Sequence, residues 1–267
     1  MKSLLRDYGN LSLLRHRGYD GFIVSMHQSG THWLKHMLAV ALARYYDLPL
    51  PARLQDDTII GHPKSPPIYR KIPQVVHSHN IPSPIVHLRL WRFFLKFPRY
   101  VVLVRDPRAA LVSNYEKWKS RYAVSFSDYL RGDPEGKRFD KDIWWDIRFM
   151  NAWGKAVSRY PNDIIIARYE SLTEDTLLEL KRVARFLKLD FLDDEILREA
   201  IDASTKDKMA KKPNPKQQLS VVRKEQSDYS SWYGEDDRQF LESVFDKYLV
   251  HDFGYSFAVW GGEKHPG

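Results

Sequence analysis

The run "FIVSMHQSGTHWLKHML" over residues 22–38 joins an apolar stretch, a small polar loop and a helical pattern. Ser29, Gly30, Thr31, His32 and Trp33 offer consecutive backbone N–H groups, hydroxyls and a glycine for close approach. Together with the positive end of the helix that follows, these are the parts an oxyanion needs. A nucleotide kinase loop would read GxxxxGK[ST]; here Gln28 stands where a phosphate lysine is expected. The short form is a weak signal alone, and a plain strand–turn–helix junction would read the same way. A second locus lies in "VVLVRDPRAALVSNYE", with Arg105 after an apolar run and Ser113 two helical turns further on. A guanidinium suits phosphate through its bidentate fork and permanent charge, although pairing with a nearby carboxylate is the competing role. Asp106 resembles a metal-binding aspartate, but its place before Pro107 makes it a helix N-cap. His32 and His36 have the i, i+4 spacing of a metal pair but lack a third ligand, so no metal site is assigned.

The elements that must position these residues are legible as alternation. Four short β-branched runs read as strands covered on both faces: 21–25, 73–78, 99–105 and 162–168. Between them lie helical patterns. Leu34, Met37, Leu38, Ala41, Leu42 and Tyr45 recur at helical spacing, and Asp106-Pro107 opens a second helix. "SLTE" at 171–174 reads as a capping box for a third. Strands alternating with helices imply an α/β fold, a mostly parallel sheet with helices on both faces. Ligands of such sheets sit beyond the carboxyl ends of the strands, which directs attention to 26–32, 79–82, 106 onward and 169–170. Three segments interrupt the pattern: a Pro-rich surface loop at 61–73, a polar stretch at 126–142 suited to a mobile cover, and a basic loop at 206–232.

At 267 residues the chain suits one domain, with a core near 19–255 and a polar tail at 260–267. A formal net charge of +8 favours an anionic partner, and the absence of cysteine removes thiolate chemistry and disulfides. The N-terminal "MKSLLRDYGNLSLLRHRG" carries too many charges for a signal-peptide core. No apolar run approaches the roughly 18 residues that span a bilayer. A cytoplasmic setting is expected.

Taken in order, these motifs resemble the sulfotransferases that use 3′-phosphoadenosine-5′-phosphosulfate (PAPS). The family's K-S-G-T-T-W loop is similar to Gln28-Ser29-Gly30-Thr31-His32-Trp33, and its R-N-P-x-x-x-x-V-S motif to Arg105-Asp106-Pro107 through Val112-Ser113. K-T-H-x-x-P corresponds to His77-Ser78-His79-Asn80-Ile81-Pro82, and Y-E-D-L to Tyr169-Glu170-Ser171-Leu172. A late R-K-G…W element resembles Arg223-Lys224-Glu225…Trp232.

The resemblance implies a three-layer, P-loop NTPase-like fold and PAPS as co-substrate, with 3′,5′-adenosine bisphosphate (PAP) as product and no metal requirement. By similarity, Ser29, Gly30, Thr31 and His32 would wrap the 5′-phosphosulfate, Trp33 would stack on the adenine, and Tyr169 would contact the adenine or sugar. Arg105 and Ser113 would hold the 3′-phosphate, with Arg223 and Lys224 closing over it. His79 would be the general base for the acceptor's hydroxyl. Three departures bear on catalysis. Gln28 and His77 replace lysines, and His32 replaces a threonine. Gln28 assisted by a protonated His27, His32 or His77 is the expected substitute for the missing charge. Losing one charge-assisted donor without such compensation would cost ~2–4 kcal/mol of transition-state stabilisation.

The acceptor lies outside these motifs: a small molecule, glycan or lipid is expected, and no nucleic acid. "HLRLWRFFLKFPRY" at 87–100 reads as a core helix leading into a strand or, alternatively, as a basic amphipathic surface for peripheral membrane contact. Trp91, Trp144, Trp145 and Trp153 are alternative pocket residues. Two rival functions follow from the same residues. A P-loop kinase is disfavoured by the missing GK[ST], and a non-catalytic PAPS or nucleic-acid binder by the presence of His79.

Overall fold

The computed structural model describes residues 18–53, 55–82, 97–135, 138–139, 141–210, 229–257 and 260. Among them are four strands, β1 (Gly21–Ser25), β2 (Val75–Ser78), β3 (Arg99–Val104) and β4 (Ile164–Arg168). They form one parallel sheet in the order β2-β1-β3-β4. Gly21 of β1 lies opposite Val75 of β2 and Arg99 of β3, and Tyr100 of β3 lies opposite Ile164 of β4. The helices are α1 (Thr31–Tyr45), α2 (Pro107–Tyr122), α3 (Phe126–Arg131), α4 (Ile143–Arg159), α5 (Tyr169–Glu174), α6 (Thr176–Phe186), α7 (Asp194–Ala203), α8 (Lys206–Ala210) and α9 (Glu235–Tyr248), with a 3₁₀ turn at Tyr229–Trp232.

The three-layer α/β architecture follows from strands that are apolar on both faces. Ile23, Val75, Val101, Leu103 and Ala167 pack against α1, α6 and α7, alongside Leu34, Leu38, Leu180, Val183 and Leu197. Their strand neighbours Phe22, Val24, Val76, Tyr100 and Val102 face α4 and the C-terminal segment, meeting Phe149, Trp153 and Tyr255. A third cluster joins α2, α3, α4 and α9 through Val112, Tyr129, Ile147 and Phe245.

Two segments differ from the sequence-based expectation. α6 is capped by Asp175, whose side chain accepts from the Leu178 N–H, while "SLTE" lies inside α5. The stretch at 126–142 is not a loose cover at its start, because α3 buries Phe126, Tyr129 and Leu130. The Pro-rich segment at 61–73 lies against the outer edge of β2, where Gly61 bridges Val76 and closes an otherwise unpaired edge. Residues 83–96, most of the amphipathic stretch, lie outside the described residues, as do Arg223 and Lys224. Among the described residues no helix is long and apolar enough to cross a membrane.

Candidate active site

The chain leaves β1 for β2 on one side and β3 for β4 on the other, so the crevice opens where the winding reverses, between β1 and β3. The loop after β1 lies there. Gln28 has φ 61° and Gly30 φ 87°, a pair of left-handed residues that curls the chain around a hollow. The Ser29 hydroxyl, fully buried, donates to the Met26 carbonyl at 2.6 Å and holds the curl from inside. Gly30 precedes α1 without any side-chain cap, and the first helical carbonyl contacts come from Trp33 and Leu34 N–H to Gly30 O. The N–H groups of Ser29, Gly30, Thr31 and His32 therefore make no hydrogen bond within the described residues. An absent cap costs about 1 kcal/mol, whereas each fully buried Leu34, Met37, Leu38 or Leu42 contributes about 1.5–3 kcal/mol. Packing thus holds α1 in place without a side-chain cap, which leaves its first N–H groups available to an anion.

Arg105 follows β3 and reaches across the switch point. Its Nη1 donates to the Gln28 carbonyl at 3.0 Å, and its guanidinium lies 4.5 Å from the Tyr169 ring centroid. Tyr169 opens α5 directly after β4 and meets Trp33 edge-on, with centroids 6.4 Å apart. It also explains Gly30: a Cβ there would lie 2.7 Å from Tyr169 Cδ2. Gly30→Ala is expected to destabilise the fold by about 1–2 kcal/mol through its left-handed backbone alone. The contact with Tyr169 adds to that cost. Urea unfolding of Gly30→Ala with and without Tyr169→Ala measures the share due to the clash, and the double variant should recover part of the loss.

Ser113 sits half-buried on α2. Lys117 is four residues on, hence on the same face, and is near enough to His32 to depress its protonation. Asp106 is the N-cap expected from the sequence, accepting from the Arg108 N–H at 2.9 Å and from the Arg108 guanidinium.

At the end of β2, His79 is fixed through one ring nitrogen. Nδ1 lies 2.8 Å from the Ser25 carbonyl, which can only accept, so Nδ1 carries the proton and Nε2 keeps its lone pair. Ser25 is missed by the sequence reading, yet its hydroxyl takes a 2.7 Å bond from Thr31 and lies 3.2 Å from His79 Nδ1. A polar residue closing a fully buried strand was its available signal. Trp153 Nε1 donates to the Asn80 carbonyl at 2.9 Å and pins the chain just past His79. The His27 ring lies 3.9 Å from His79 and 4.4 Å from Trp145, centroid to centroid. Trp153 belongs to the core and Trp144 packs against Tyr248. Trp91 lies outside the described residues.

Burial pulls His79 down to about 3 and His32 to about 4, and it also lowers His77. These shifts favour the neutral imidazole in each, against His32 or His77 supplying the charge expected beside Gln28. The ammonium against His77 Nε2 belongs instead to Lys35, at 3.3 Å, and Lys35 is ion-paired with Asp57. His36 is buried with its Nδ1 2.7 Å from Ser204 Oγ. Among the described residues no three His, Asp or Glu gather as metal ligands.

An uncapped helix end, a curled loop of free amides and a strand-end arginine meet at the topological switch of a parallel α/β sheet. The chain belongs to the sulfotransferase domain family, whose model matches residues 19–243. It is 28% identical over 199 residues to cytosolic sulfotransferase 12 of Arabidopsis thaliana, covering 68% of this chain and 60% of that protein. It is 24% identical to mouse sulfotransferase 2A2, covering 73% of this chain and 67% of the relative. Against the first of these, the match spans less than two thirds of the relative's length. Solved structures share the fold. A mouse sulfotransferase in complex with PAP superposes with TM-score 0.60 at 16% identity, covering 94% of this chain and 90% of the other. A retinol dehydratase bound to retinol and PAP gives 0.65 at 15%, covering 95% and 88%.

Proposed function

We propose that this chain transfers a sulfuryl group from PAPS to an acceptor hydroxyl or amine, with His79 as general base. The observation that carries the reading is the row of free N–H groups from residues 29 to 32, beside Arg105 and within reach of the chain bearing His79. The fit to the donor follows from the parts. Free amides and the α1 end suit the 5′-phosphosulfate, Arg105 with Ser113 suits the 3′-phosphate, and Trp33 with Tyr169 suits the adenine. Arg223 and Lys224 keep the role that the family resemblance gives them.

In the transfer step, the acceptor oxygen forms a bond to sulfur as the bond between sulfur and the 5′-phosphate oxygen breaks in line, inverting sulfur. His79 Nε2 receives the acceptor proton, and PAP leaves with the bonding electron pair. Nδ1–H, held by the Ser25 carbonyl, favours the tautomer that can accept at Nε2 and stabilises the imidazolium that forms. Gln28 has no charge to offer the leaving oxygen. The free amides and the helix end take that part, as preorganised dipoles do elsewhere.

The test is binding followed by turnover. PAP is expected to raise the melting temperature of the purified chain, and Arg105→Ala to weaken PAP by about tenfold or more, a loss of ~1.4 kcal/mol. Isothermal titration measures both. Incubation with PAPS and an acceptor library, followed by mass spectrometry, should show PAP and sulfated product in equal amounts. Magnesium-dependent ATP binding with no response to PAP would point to a kinase instead.

A further inference from the structure

On the β2 side of the donor loop lies a second group of polar side chains that the proton transfer leaves unused. Lys35, 1% exposed, is paired with Asp57, and its ammonium stands 3.3 Å from His77 Nε2. That ring nitrogen is itself 3.3 Å from Asp57 Oδ1. His62 sets its ring edge-on to His77, centroids 5.6 Å apart. The Nδ1 atoms of His32 and His77 are both buried and both without a hydrogen-bond partner. Lys117 of α2 approaches His32, is held below the usual lysine range by burial, and has no carboxylate partner among the described residues. Two carboxylates face the group. Asp57 is engaged by Lys35 and His77, and Asp56 is turned into its own loop, accepting from Ala52 N, Thr58 N and Thr58 Oγ1.

The strand order says what stands here. Tyr169 follows β4, Arg105 follows β3, the amide loop follows β1, and His79 follows β2. A donor lying from Tyr169 toward His79 has its nucleoside over β4 and β3 and its transferable group at β2. The basic group lies past that end, where the attacking molecule enters. Two buried, orphaned ring nitrogens are costly unless a ligand supplies their partners. An apolar acceptor would leave both unmet, whereas a group with several anionic oxygens would accept from each ring nitrogen in its N–H tautomer and attract the nearby Lys117 ammonium.

We propose that His32, Lys35, His62, His77 and Lys117 form the acceptor subsite, and that the acceptor carries an anionic group, a carboxylate, phosphate or sulfate, beside the hydroxyl to be sulfated. The assignment rests on the sulfotransferase reading above and names its substrate class.

The test saturates the purified chain with PAP, which fills the donor's phosphate contacts, and then titrates inorganic sulfate. Calorimetry and the ring ¹⁵N–¹H signals of the histidines are followed together. Sulfate is expected to move the signals of His32, His62 and His77. Lys117→Met should weaken sulfate by about tenfold while leaving PAP affinity within about twofold, which also reports that the variant is folded. With PAPS as donor, hydroxy acids and sugar phosphates should be preferred over the matching neutral amides and sugars, and Lys117→Met should erase the preference. Sulfate binding equally well to Lys117→Met would place the ion in the donor's own sulfuryl position and overturn the assignment. Weakened PAP binding in that variant would give Lys117 to the donor, with the same consequence. A parent chain that binds PAP but not sulfate loses the acceptor subsite alone; one that fails to bind PAP loses the sulfotransferase reading with it.

Discussion

Replacing His79 by asparagine is expected to lower turnover about 10²–10⁴-fold while PAP affinity stays close to that of the parent. Asparagine can still donate an amide N–H to the Ser25 carbonyl, so the turn after β2 keeps its anchor. What it lacks is the lone pair that Nε2 presents to the acceptor. The donor contacts lie on other strands, at Arg105 after β3 and in the loop after β1, which separates binding from proton transfer. Single-turnover release of PAP from pre-bound PAPS measures the chemical step, and calorimetry with PAP measures the site. Turnover within a few-fold of the parent would remove His79 from proton transfer and leave the acceptor to lose its proton to water. The same variant changes the acid response. His79 takes up a proton in the folded chain only near pH 3, whereas the unfolded chain does so near 6.5. Acidification below 6.5 therefore favours the unfolded chain, and the effect is complete once pH falls below 3. His32, lowered to about 4, acts in the same direction over a narrower window. Denaturant midpoints from pH 7 to 5 should fall less in His79→Asn than in the parent.

The fold was legible wherever burial on both sides dictated composition. β1 and β3 sit in the middle of the sheet with all but Arg99 fully enclosed, so their runs carry no polar alternation to confuse the reading. Asp106 was legible because a cap followed by proline has one local meaning, and the structure makes the hydrogen bond that meaning requires. Local rules misled at "SLTE", because α5 continues straight out of β4 and Asp175 competes for the same role with a better-placed carboxylate. Helix α1 looked one-sided in the sequence, yet α7 and α6 cover it from behind, so even Lys35 and His36 are buried. Lys35 could not be recognised as part of the site because its partners, Asp57 and His77, come from distant segments. A lone lysine inside an apolar helix was the only trace it left. The motif residues Gln28, Gly30, Trp33, Arg105 and Tyr169 do meet, since each lies within three residues of a strand end or helix start and the sheet brings those ends together.

Asp106→Ala should be among the most damaging single changes for the fold, lowering unfolding free energy by about 3–5 kcal/mol. The carboxylate performs three tasks at once. It caps α2, pairs with Arg108, whose side chain is only 5% exposed, and accepts the Tyr229 hydroxyl at 2.9 Å. Removal takes the Asp106 carboxylate away from a guanidinium that packs among the rings of Tyr229, Phe257 and Trp260 and also donates to the Ser256 carbonyl. Lost capping alone would cost about 1 kcal/mol, so the broken ion pair dominates. The neighbouring ties, Asp106 N–H to Glu170 and Tyr255 to Glu170, do not depend on the side chain and should keep β3 joined to α5. Asparagine at 106 can retain the cap but not the ion pair, and its loss should fall between the parent and alanine. Against a total of about 5–15 kcal/mol for a domain, the alanine variant stands near the threshold of folding. Urea unfolding of the three proteins measures the series. A metal-binding aspartate would behave in the opposite way, with stability little changed and a metal requirement lost, and that outcome would move Asp106 from the scaffold into the chemistry.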